Sequence, residues 1–69
     1  MTVYVVLYQN LLRDASKVSQ IGYTTLEEAR AFCRKRVGSD KDAVIVSRNG
    51  HVFLNSVTSD RYTIEEVRV

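Results

Sequence analysis

A chain of 69 residues has material for one domain and no more, and a domain of that size buries only about 60% of the surface its unfolded chain exposes. Its composition is globular, 45% hydrophobic and 26% charged, and with no proline and only three glycines no linker or disordered tail is expected. Ten Lys and Arg against eight Asp and Glu leave a net charge of +2, which permits an acidic partner without requiring one.

Residues 2–9, TVYVVLYQ, are β-branched and aromatic, and both alternating sets are apolar: Val3, Val5 and Leu7 on one side, Tyr4, Val6 and Tyr8 on the other. Such a strand is expected inside a sheet that is covered twice. Residues 10–16 read as a loop, although Leu11 and Leu12 are apolar, and residues 17–23 as a weaker strand that forms a hairpin with the first. The pattern then predicts a helix over 25–37. Thr25 and Glu28 make a capping box, in which the hydroxyl accepts from an orphan helix N–H while the carboxylate reaches back. Leu26, Ala29, Cys33 and Val37 fall within about 80° of one another, one buried stripe with Phe32 at its edge. Arg34, Lys35 and Arg36 fill the last turn, and Gly38 stops the helix.

After a polar loop at 39–42, the runs AVIVSR and HVFLNSV flank Asn49-Gly50, a pair that tolerates the positive φ of both central positions of a type I′ turn. That turn pairs Val46 with Phe53 and Ile45 with Leu54. Residues 58–60 turn the chain once more, and 61–69 close it. The β-branched Ile64, Val67 and Val69 favour a strand there, whereas Thr63 with Glu66 also satisfies a capping box and leaves a short helix as the alternative. The order β-β-α-β-β-β predicts a single α+β domain over 1–69, one helix packed on an antiparallel sheet of four to five strands.

YVVLY at the start, IGYTTLEEARAFC in the middle and YTIEEVRV at the end resemble a group of small phage and bacterial proteins with no assigned activity. Those share an opening strand, a glycine-aromatic lead into a "leeA" helix and a closing "YxIEEVxV" strand. The likeness covers about half the chain, and the Asn49-Gly50 hairpin departs from the shortest members. The resemblance implies an origin and a fold, and carries no site residues.

Chemistry is poorly supplied. Cys33 sits on the helix stripe expected to be buried and His51 beside the hairpin turn, so neither is placed as a nucleophile with its base. One Cys and one His cannot make a four-ligand zinc site, and Asp40 and Asp42 lack the glycine and later Glu of a calcium loop. Glu27-Glu28 and Glu65-Glu66 are sequence neighbours whose side chains diverge, and no phosphate-binding glycine loop or nucleophile elbow occurs. No enzyme, cofactor or metal site is expected. The lone cysteine has no partner for an internal disulfide, which fits a reducing cytoplasm. The N-terminus lacks a basic segment, and its longest apolar run, Val3 to Tyr8, is six residues. A signal peptide needs roughly 7–15 and a membrane span about 20, so neither export by that route nor a membrane anchor is expected.

Two surfaces remain as candidates. Arg30 and Arg34, one turn apart on the expected solvent side of the helix with Lys35 and Arg36 beside them, are the candidate contact for an acidic partner or nucleic acid. The same cations also complement the helix dipole. The second candidate arises because one helix covers one sheet face. With Ile45, Val52 and Leu54 turned toward the helix, Tyr4, Val6, Tyr8, Val44, Val46 and Phe53 form an apolar patch on the opposite face, larger than monomers usually expose. A protein partner or a second copy in a homodimer would cover it; a strongly coiled sheet closing on itself is the alternative. The leading expectation is therefore a non-enzymatic interaction module, a phage-derived modulator of a bacterial protein, with nucleic-acid binding second.

Overall fold

The computed structural model describes residues 1–13 and 15–69 and contains, in order, β1 (Thr2–Asn10), β2 (Ala15–Tyr23), α1 (Leu26–Val37), β3 (Val44–Val46), β4 (Val52–Asn55) and β5 (Asp60–Arg68). All pairings are antiparallel in one sheet of order β2-β1-β5-β4-β3, with α1 packed on one face. The fold class and element order are those expected from sequence. β1 and β2 run longer than expected, leaving Leu11–Arg13 as the turn between them; residue 14, within the expected loop, lies outside the described residues.

The last strand is the middle one. β5 pairs with β1 from Thr2↔Arg68 to Asn10↔Asp60 and with β4 on its other side, so residues 61–69 are strand rather than helix, apart from the terminal Val69. The ladder continues to the ends: the Val69 N–H donates to the Met1 carbonyl at 2.8 Å. The two edges are irregular. β2 carries two register shifts against β1, and Gly22, at φ 92°, is the unpaired residue of one bulge, between the pairs Tyr4↔Tyr23 and Val5↔Ile21. β3 spans only three residues.

Thr25 caps the helix as its pattern predicts, its hydroxyl accepting from the Glu28 N–H at 3.2 Å. The Glu28 carboxylate reaches back to the Thr25 and Thr24 hydroxyls, at 3.0 and 3.4 Å. Ala29, Cys33 and Val37 are buried, Leu26 and Phe32 flank them, and Gly38 ends the helix at φ 106°.

Beneath this stripe lie Val6, Phe53, Tyr62 and Ile64, joined by the register pairs Val6↔Ile64 and Phe53↔Tyr62. This overturns the expected orientation of the sheet. Tyr4, Val6, Tyr8, Val44, Val46 and Phe53 do share one face, but it is the face the helix covers. Val6 and Phe53 are fully buried, Tyr4, Tyr8 and Val44 pack around them, and Val46 is exposed at the edge. The physical reason is that strand alternation decides which residues share a face, not which face receives the helix. With both sets apolar in β1 and the 43–57 hairpin, neither could decide. β5 could: Tyr62 and Ile64 alternate with Arg61, Thr63 and Glu65, so only one of its faces suits a core.

The 43–57 hairpin has the expected register, Val46↔Phe53 and Ile45↔Leu54, on a different turn. φ is positive at Gly50, 73°, and not at Asn49, so this is not type I′. The Gly50 N–H donates to the Ser47 carbonyl at 3.0 Å and the Ser47 N–H to the Val52 carbonyl at 2.9 Å, closing a wider loop. Side chains hold it open: the Ser47 hydroxyl accepts from the Val52 N–H, and the Asn49 side-chain oxygen from the His51 N–H.

Candidate functional site

The face away from the helix is built by the odd-numbered residues of β1 and β5 and their neighbours. Leu7 lies beside Thr63 on β5 and Val18 on β2, while Val52 of β4 lies on the other side of Thr63. This makes an uncharged row, Val18–Leu7–Thr63–Val52, across four strands. One pleat away along β5, Arg61 is flanked by Gln9 and Leu54, with Ile45 beyond. One pleat the other way, Glu65 is flanked by Val5, and beyond these Val3 pairs with Val67. Ile45 is 56% exposed, Val18 52% and Val67 38%, while Val3, Val5, Leu7, Val52 and Leu54 are half-buried by their neighbours alone. No helix crosses these residues. A shallow groove of about 410 Å³ runs along the face, lined chiefly by Leu7, Gln9, Val18, Arg61, Thr63 and Glu65. Arg61 is held across its floor by a hydrogen bond to the Gln9 side chain.

The apolar residues away from the helix are therefore the set opposite to the expected one. Missed were Val3, Val5, Leu7, Val18 and Val67, and the two that flank them with charge, Arg61 and Glu65. The polar alternation of β5 was the available signal, because a strand with one polar face marks the side that the helix leaves open.

The residues once expected there have other work. The Tyr8 hydroxyl donates to Asp60 at 2.5 Å, and its ring packs on Tyr62 with centroids 5.1 Å apart. The Asn10 amide also donates to Asp60, at 2.8 Å, while its oxygen accepts from the Leu12 and Arg13 N–H groups. The Tyr8 hydrogen bond holds the Asp60 carboxyl below the ordinary carboxylate range, and the same bond, with burial, raises the Tyr8 hydroxyl. Val44, Val46 and Phe53 border a depression of about 400 Å³ beside the helix C-terminus, with Arg34 at its rim.

The helix cations do not form one stripe. Arg30 is not on the solvent side: its side chain is 31% exposed, lies against Gly50 and reaches Glu27 at 4.0 Å. Arg34 and Lys35 are exposed. Arg36 turns the opposite way, its guanidinium 5.3 Å from the Phe32 ring centroid, and joins Lys17, Tyr8 and Tyr62 around a polar cleft of about 380 Å³. Consecutive helical residues are about 100° apart, so a run of three cations fans out instead of tracking one line.

Cys33 is fully buried, and burial pushes its thiol up to about 11, so at neutral pH it is protonated. Among the described residues no group of three or more His, Cys, Asp or Glu is placed to hold a metal, and no helix is long and apolar enough to cross a membrane. Neither a protein-family model, nor a curated protein, nor a solved structure matches the chain.

Proposed function

We propose that this chain is a non-enzymatic protein-interaction module whose contact surface is the helix-free face of the sheet. The observation that carries the reading is the row Val18–Leu7–Thr63–Val52 with Ile45, Leu54 and Val67 around it, apolar side chains that no part of the described chain covers. Burying apolar surface is worth about 25 cal/mol per Å², and contiguous patches of this kind mark association sites. Arg61, Glu65 and Gln9 give the patch a polar framework that fixes orientation. The likeness of the opening, helical and closing segments to phage and bacterial proteins extends the reading to a phage-derived modulator acting on a bacterial protein in the cytoplasm.

Capture from bacterial lysate by the immobilised chain tests this when run beside the variant Val18→Asp/Ile45→Asp. Both residues are more than half exposed, so the variant keeps its circular dichroism spectrum and loses the captured proteins. Equal capture by the two chains would remove the helix-free face from the reading. Nucleic-acid binding is the second reading, supported by Arg36 and Lys17 around the Tyr8–Tyr62 cleft. Retention on DNA that falls steeply with salt and is lost in Arg36→Glu/Lys17→Glu would favour it over the first.

A further inference from the structure

Resting on that reading of the face, we infer that its occupant is a second copy of this chain, packed sheet on sheet with the two β5 strands antiparallel across a two-fold axis at Thr63. The edges point away from edge-to-edge pairing: bulges distort β2, and β3 is three residues long. The broad face remains. The chain measures 36 × 24 × 18 Å, so that face is on the order of 800 Å², one partner's share of a standard interface.

Charge selects the arrangement. Face-to-face sheets keep their strands roughly aligned, so the two-fold axis between them runs either along the strands or across them. Along β5, every residue meets its own copy, and Arg61 would face Arg61. Across β5 at Thr63, Arg61 of each copy faces Glu65 of the other. The residues on that axis, Leu7, Thr63 and Val52, meet themselves and are uncharged. Within one chain Arg61 and Glu65 are four residues apart on a strand, about 13 Å, and do not pair with each other. The pattern positive–neutral–negative along the middle strand is thus complementary to itself reversed. The dimer would present both helices outward, each with Arg34 and Lys35 exposed.

Sedimentation of the native chain, of Arg61→Glu and of Glu65→Arg, singly and mixed, tests the arrangement. The native chain sediments as a dimer at micromolar concentration. Each single variant places like charges opposite one another and weakens self-association at least tenfold, and an equimolar mixture recovers a heterodimer, visible by native mass spectrometry. Thr63→Lys, which sets two ammonium groups on the axis, dissociates the dimer independently of Arg61. A native monomer at 100 µM (about a hundredfold above that concentration), or a dimer indifferent to all three substitutions, overturns the inference. Loss of lysate capture in Val18→Asp/Ile45→Asp by a monomeric native chain would leave the interaction module standing with a different occupant.

Discussion

The two faces of the sheet are both apolar, yet they differ in what interrupts them. Under the helix, β5 contributes Tyr62 and Ile64 and the neighbouring strands contribute Val6 and Phe53, with no charged residue among the buried set. On the other side the same strand contributes Arg61, Thr63 and Glu65 between the valines and leucines of β1 and β4. A face meant for permanent burial inside one chain excludes charge, because an unpaired buried charge is expensive. The helix-free face instead carries Arg61 and Glu65 amid apolar residues, an arrangement that suits the proposed contact, where charge would fix orientation. Hydrophobicity alone does not separate the two faces; the middle of β5, with Tyr62 and Ile64 on one side and Arg61, Thr63 and Glu65 on the other, does.

Substitution at Phe53 is the strongest way to break the contrast. Phe53→Ala removes a fully buried ring and is expected to lower stability by about 3–5 kcal/mol in a denaturant titration. A residue at an interface would instead leave the monomer's stability nearly intact. Gly50→Val comes next. A valine there must adopt φ near 73°, with its Cβ about 3.0 Å from the Arg30 guanidinium, and a loss of roughly 1–2 kcal/mol is expected from the left-handed backbone. Unchanged thermal stability would mean the loop relaxes to a turn without positive φ.

Asp60 tests the polar end of the covered face. Its carboxyl lies below the ordinary value of 3.8, chiefly through the Tyr8 hydrogen bond, so the folded state favours the ionised form. That contribution is present above the unfolded pKa and lost as pH falls through the lowered folded value. Acid titration of the native chain should therefore show a loss below about pH 4 that is smaller in Asp60→Asn. The smallest effect is expected on the helix-free face. Ile45→Thr, at a side chain 56% exposed, should shift the stability of the chain measured at low concentration by within about 0.5 kcal/mol. A larger loss measured at low concentration would place Ile45 in the monomer's own core and close the difference between the faces.

Local patterns in the sequence were legible where one interaction decides them. Thr25 and Glu28 specify the helix start, Cys33 falls on the buried stripe by spacing alone, and the runs around Asn49-Gly50 carry the pairing of Val46 with Phe53. The turn type was not legible, because the Ser47 and Asn49 side chains offer the backbone partners that a two-residue turn lacks. The helix-facing set in β1 and the 43–57 hairpin was not legible either, since Val5 and Val6, or Phe53 and Leu54, are equally apolar neighbours on opposite faces. Strand order depends on pairings between residues far apart in the chain, so nothing local announces that β5 sits between β1 and β4. The basic run at 34–36 misled for a simpler reason: adjacency in sequence is divergence on a helix.

That central position makes β5 the joint of the sheet: β1 and β4 have no ladder between them, and β5 pairs with both. Without it the sheet is two separate hairpins, and the patch of Val6, Phe53 and Cys33 lacks Tyr62 and Ile64. Joining the two hairpins therefore rests on pairings between residues far apart in the chain, such as Thr2 with Arg68, whose loop-closure entropy must be met before the contacts reward it.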